Sequence, residues 1–146
     1  MRAVEPTPQR ADDFDGDHDV DADDIDLLYA NLGTVDDAYD LNEDDAVDAN
    51  DMDELVYGVL ATTYGDANLD GMVDDVDFEI WNANRFQDDT GWALGNFDGR
   101  HGTDVSDFNI WNHNRGFAAP LAVPEPSTVL LLGAALVFPY IRRRFR

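Results

Sequence analysis

The sequence predicts an all-α protein: four loop-then-helix units joined in two pairs, with an apolar helix at the C-terminus. Three observations predict it. A twelve-residue spacing with oxygen-bearing side chains at most of positions 1, 3, 5, 9 and 12 starts at Asp13, Asp40, Asp66 and Asn96, and the offsets of 27, 26 and 30 residues make the chain an array. Each spacing runs into a segment whose apolar residues recur at helical intervals. Of 32 acidic residues 27 are Asp and only 5 are Glu. Helix propensity would not produce that bias, because Glu is the better helix former, whereas carboxylates that serve loops would.

Residues 1–11 carry no periodic apolar pattern and are expected to be a disordered N-terminal segment. The first pair spans 12–62, with loops at 13–24 and 40–51. Its first loop offers Asp13, Asp15, Asp17, the Asp19 carbonyl, Asp21 and Asp24, with His18 at position 6 and Val20 at position 8. Ile25, Leu28 and Leu32 then share one helical face. The second loop offers Asp40, Asn42, Asp44, Ala46 at the carbonyl position, Asp48 and Asp51, with Asp45 at position 6 and Val47 at position 8. Met52, Leu55, Val56, Val59 and Leu60 form its helical face.

The second pair spans 63–116, with loops at 66–77 and 96–107. The third loop is the best preserved: Asp66, Asn68, Asp70, Gly71 at position 6, the Met72 carbonyl, Val73, Asp74 and Asp77. The fourth keeps Asn96, Asp98, Asp104 and Asp107 but has Arg100 at position 5 and His101 at position 6, so it is weakened or lost. Either Arg100 takes the place of an ion and satisfies these carboxylates by charge-assisted hydrogen bonds, or the loop has simply decayed. Asp77–Arg85 returns as Asp107–Arg115 with Phe, Ile and Trp in register, so units three and four are close copies and the units pair one with two and three with four. Trp81 and Trp111 suit a ligand-stacking surface, but aromatics repeated at helical spacing more often form core.

The chemistry of the spacing is that of a hard cation. Calcium takes six to eight oxygens at about 2.3–2.6 Å, and a short loop supplies them only if alternate side chains turn inward and a residue at position 6 adopts positive φ, after which the position 7 carbonyl faces the metal. Gly71 does this freely, and His18 and Asp45 are among the residues that tolerate it. The third loop therefore matches the EF-hand-type calcium spacing, with Asp in place of Glu at position 12, and about three calcium sites are expected. An apolar contact from Val73 to a partner loop is expected as well. His18, His101 and His113 form no zinc spacing, and there is no cysteine.

Charge narrows the partners. Ahead of residue 123 there are 31 acids against 5 arginines, or −26, so three calcium ions would still leave −20. Nucleic acid and anionic membrane are poor partners for such a surface. Each pair is about 55 residues long, a size at which an apolar core alone gives little margin, so metal binding is expected to be linked to folding. No enzyme is expected in this chain: the only serines are Ser106 and Ser127, there is no glycine-rich phosphate loop, and paired carboxylates are unavoidable among so many Asp.

Residues 117–122 read as a linker, and composition then changes at 123–146. Val123, Pro124, Glu125 and Pro126 precede an apolar run, Val129–Ile141, and the cluster Arg142-Arg143-Arg144-Phe145-Arg146. Thirteen helical residues span about 20 Å against a hydrocarbon core of about 30 Å, which makes a short and marginal transmembrane helix with the arginines on the cytoplasmic side.

This tail resembles the PEP-CTERM sorting signal of bacterial surface proteins. The resemblance implies export, membrane anchoring through the C-terminal helix, cutting near Val123–Pro126 by an exosortase-type sorting peptidase, and a destination at the cell envelope, the surface or an exopolysaccharide matrix. The family also carries a secretion signal, and Met1–Arg10 has no apolar stretch to serve as one, so the chain is expected to be the C-terminal end of a longer exported protein.

Residues 12–116, loop then helix without an entry helix, resemble dockerin type I repeats. That resemblance implies calcium at the loop ligands named above and attachment to a cohesin-like domain, commonly on behalf of a glycoside hydrolase. Loop positions 10 and 11, where cellulosomal dockerins present Ser-Thr, read Ala22-Asp23, Ala49-Asn50, Asp75-Val76 and Val105-Ser106. Cohesin recognition is where this sequence departs. Three readings follow: a calcium-dependent attachment module, a calcium-stiffened spacer or matrix element, and the C-terminal fragment of a secreted glycoside hydrolase.

Overall fold

The computed structural model describes residues 11–120. The N-terminal ten residues and the sorting tail with its predicted helix lie outside the described residues. Four α-helices follow in order: α1 (Ala22–Asn31), α2 (Ala49–Asp53), α3 (Asp75–Asn84) and α4 (Val105–Asn114). A π-helical turn, Glu54–Val59, continues α2, and a 3-10 turn, Trp92–Leu94, lies between α3 and α4. Among the described residues there is no strand, only two isolated bridges, so the all-α expectation holds. None of the described helices is long and apolar enough to cross a membrane.

Every helix begins at loop position 10, and the reason is the same each time. Asp21, Asp48, Asp74 and Asp104, all extended, are N-caps whose carboxylates accept the N–H two residues on. Asp24, Asp51, Asp77 and Asp107, at position 12, reach back to the N-cap N–H and complete a capping box. These bonds satisfy donors that a helix start otherwise leaves orphaned. Residues at the positions where a cation is expected thus also start the helices.

At position 8 the backbone of loops two, three and four bonds the helix exit of the neighbouring unit. Val73 is buried, donating its N–H to the Phe117 carbonyl (3.0 Å) and accepting from Gly116 (2.9 Å), which is the exit of α4. Thr103 makes the reciprocal bonds with the exit of α3, accepting from Phe86 at 2.6 Å and donating to Gln87 at 3.1 Å. Val47 joins Gly33 and Thr34, after α1, in the same way at 2.8 and 3.1 Å. A loop and its partner's helix exit both carry unpaired backbone groups, so each completes the other. Phe117–Ala119, within the stretch read as linker, continues this pairing: the Ala119 N–H donates to the Gly71 carbonyl at 2.7 Å.

Between α3 and α4 the repeated aromatics form core. Trp81 and Trp111 are 8 and 4 % exposed, pack around Phe78 and Phe108, and spend their ring N–H groups on the Asp104 and Asp74 carbonyls at 2.8 Å each. Buried rings with committed donors leave no face for a ligand. The expected α2 face is also core, with Met52, Leu55 and Val56 buried.

One buried cluster then joins the two pairs: Ile25, Leu28, Met52 and Leu55 from the first, Val73 and Trp111 from the second, with Trp92 and Phe97. Trp92, fully buried, donates its ring N–H to the Asp66 carbonyl (2.6 Å) and its backbone N–H to Asp26 Oδ1 on α1 (2.9 Å). The Tyr29 hydroxyl adds a bond across the same junction, to the Phe97 carbonyl at 2.6 Å.

Candidate metal centres

Position 12 does the same work in all four loops. Asp24, Asp51, Asp77 and Asp107 each accept through Oδ1 from position 2, at 2.6, 2.8, 2.9 and 2.7 Å, and through Oδ2 from position 9, at 2.9, 2.7, 2.8 and 2.8 Å. All four side chains are buried, which folds each loop around a carboxylate. Position 1 anchors the opposite side in loops one to three. Asp13 accepts from Gly16 and His18 at 2.7 and 3.2 Å, Asp40 from Asp44 and Asp45 at 3.1 and 2.8 Å, and Asp66 from Asp70 and Gly71 at 3.2 and 2.9 Å. Thr62, four residues ahead of loop three, donates its hydroxyl to Asp66 Oδ2 as well.

Positions 3, 5 and 7 are linked by short turns. Asp15 and Asn68 accept from the N–H of position 5 at 3.0 and 3.1 Å, and Asp17, Asp44 and Asp70 accept from position 7, which is Asp19, Ala46 or Met72, at 3.1, 3.1 and 2.9 Å. Such Asx-type turns hold alternate side chains on one side of the loop. Asn42 contributes its N–H to Asp51 at 3.3 Å. In loop one, carboxylate oxygens of Asp13, Asp15 and Asp17 come within 4.8 Å of one another. This all-oxygen, carboxylate-rich donor set fits a hard divalent cation.

Backbone geometry agrees with the position 6 reading and adds a feature the sequence reading passed over. His18, Asp45, Gly71 and His101 have φ of 89, 68, 83 and 57°. Position 4 is left-handed too: Gly16, Glu43, Leu69 and Gly99 have φ of 80, 60, 54 and 65°. Two of the four are glycine, which was the available signal; Glu43 and Leu69 hid it, since neither favours this region.

Burial pushes the carboxyls of Asp66, Asp77 and Asp107 above the usual range, against the pull of their N–H donors. Asp19 is pushed up to about 6 by a hydrogen bond and repulsion shared with Asp17. Asp19, Asp66, Asp77 and Asp107 therefore ionise less readily than ordinary carboxyls.

Loop four departs from its siblings in a way the sequence did not foretell. Arg100 is exposed and, among the described residues, forms no ion pair with Asp98, Asp104 or Asp107; only its backbone N–H bonds Asp98, at 2.9 Å. The guanidinium does not stand in for an ion, because it keeps its hydration at the surface at no cost, whereas entering the loop would strip it. Asn96, at position 1, donates Nδ2 to the Thr90 carbonyl at 2.8 Å, and its buried Oδ1 has no hydrogen-bond partner.

The PEP-CTERM protein-sorting motif matches residues 122–146, which bears out the tail reading based on Val123–Pro126, the apolar run and the arginine cluster. No curated protein and no solved structure matches the chain. The chain therefore carries the sorting signal of an exported protein that is processed by an exosortase and held in the membrane beforehand.

Proposed function

We propose that residues 12–116 are a non-catalytic calcium-binding module of dockerin type, displayed by a surface-sorted protein for calcium-dependent attachment to a protein partner. The repetition of one hydrogen-bond pattern around an all-oxygen donor set in loops one to three carries this reading. Asp13, Asp15, Asp17, Asp21 and Asp24 would hold the ion in loop one, with the Asp19 carbonyl. Asp40, Asn42, Asp44, Asp48 and Asp51 serve loop two with Ala46, and Asp66, Asn68, Asp70, Asp74 and Asp77 serve loop three with Met72. Calcium, when bound, supplies the positive charge that these clusters lack. The dockerin likeness rests on these residues alone.

The carboxylates are held by N–H groups of their own loops, so a change in their charge acts directly on the helix starts. Chelation with EDTA should remove most of the helical circular dichroism; an unchanged spectrum would rule out calcium-coupled folding. Val76 and Val105, 49 and 55 % exposed at the start of α3 and α4, supply apolar surface where dockerins meet their partners. A pulldown from surface extract with and without calcium tests attachment. A discrete calcium-dependent partner supports it, and none favours the second reading, a calcium-stiffened spacer, to which the missing Ser-Thr pairs point.

A further inference from the structure

In a folded interior a polar atom without a partner loses its hydration and gains nothing in return, so an orphan asks for the group that completes it. Among the described residues the buried side-chain N and O atoms have one orphan, Asn96 Oδ1, in a residue 5 % exposed. It sits at position 1 of loop four, the position whose oxygens in the other three loops accept the loop's own N–H groups. Those donors do not reach Asn96. The Arg100 N–H is taken by Asp98, and Asn96 Nδ2 is tied to the Thr90 carbonyl in the segment between α3 and the loop. Reversing the amide would set oxygen against the Thr90 carbonyl oxygen, so the acceptor edge is the free one.

The rest of loop four keeps the pattern of its siblings. Asp107 receives Phe97, Asp98 and Asp104, Asp104 caps α4, and His101 is left-handed. Arg100, the residue that would have filled the loop, is at the surface.

We infer that loop four is a fourth divalent-cation site, with Asn96 Oδ1 as a neutral ligand beside Asp98, Asp104 and Asp107. The inference rests on the calcium reading of loops one to three. With three carboxylates, against five in loop one and four each in loops two and three, it is the weakest of the four sites, since ligand charge tunes affinity in such loops.

The test is calcium chloride titration of the full chain, read by native mass spectrometry and calorimetry. Four ions per chain are expected, and three for Asn96→Ala. Asn96→Asp separates ligation from simple structure. As a ligand, the added charge tightens the weakest step by about tenfold; as a mere tie to Thr90, the lost N–H and the new repulsion lower stability and tighten nothing. Three ions in the unmodified chain, or an Asn96→Asp variant that loses stability with no tighter step, overturns the inference and leaves loops one to three standing. No bound calcium at all would overturn the calcium reading itself.

Discussion

Trp92 offers the sharpest test of how the two pairs are held together. Its ring is fully buried between them, with one N–H on the Asp66 carbonyl and the other on Asp26. Trp92→Ala removes the ring and its packing against Tyr64 and Phe97, whose ring centroids lie 5.6 and 5.4 Å away, and should cost about 3–5 kcal/mol. Trp92→Phe keeps most of the apolar volume but strands the Asp66 carbonyl, and should cost about 1–3 kcal/mol. The assay is urea unfolding followed by far-ultraviolet circular dichroism, with calcium held saturating so that linkage is constant. One transition is expected for the unmodified chain and two for Trp92→Ala, because α1 meets the second pair through the 3-10 turn that carries Trp92. A loss below about 1 kcal/mol for Trp92→Ala, with a single transition retained, would refute the shared-core account.

Three further outcomes are expected. In calcium-free protein, burial holds the carboxyls of Asp26, Asp66, Asp77 and Asp107 above their ordinary range, so the folded state keeps protons that the unfolded state has released. Their contribution to stability therefore falls as pH rises from about 4 through the raised values, and the helical circular dichroism that remains in EDTA should be larger at pH 5 than at pH 7; the reverse order would contradict this. Glu43→Asn should raise the melting temperature, by up to about 1 kcal/mol of stability, since exposed Glu43 is left-handed at φ 60° and Asn tolerates that region. Asp77→Ala should abolish calcium binding at loop three and weaken the start of α3, because it strands the N–H groups of Ala67 and Asp74, and calorimetry with circular dichroism would register both effects.

The helices were legible because each start is written within twelve residues: the Asp at position 9 and the Asp at position 12 cap the same turn. Positive φ at position 6 was equally legible, even at His18 and Asp45, since the turn is closed by bonds inside the loop. At position 4 the same conformation was hidden by Glu43 and Leu69, residues whose own preference the loop overrides. Trp92 was missed because it belongs to no repeat, lying in the longer connection that sets unit four 30 residues from unit three.

What the sequence by itself determined was therefore local: four loops, four helix starts, the carboxylates that could hold a cation, and a sorting tail read from contiguous residues. The tertiary structure decided which helix exit completes which loop, that Trp81 and Trp111 are core, that Trp92 joins the pairs, and that Arg100 faces water while Asn96 Oδ1 is left without a donor. The physical reason is range. A capping bond is chosen among atoms a few residues apart, whereas burial and the loss of a partner depend on what distant segments bring to the same place.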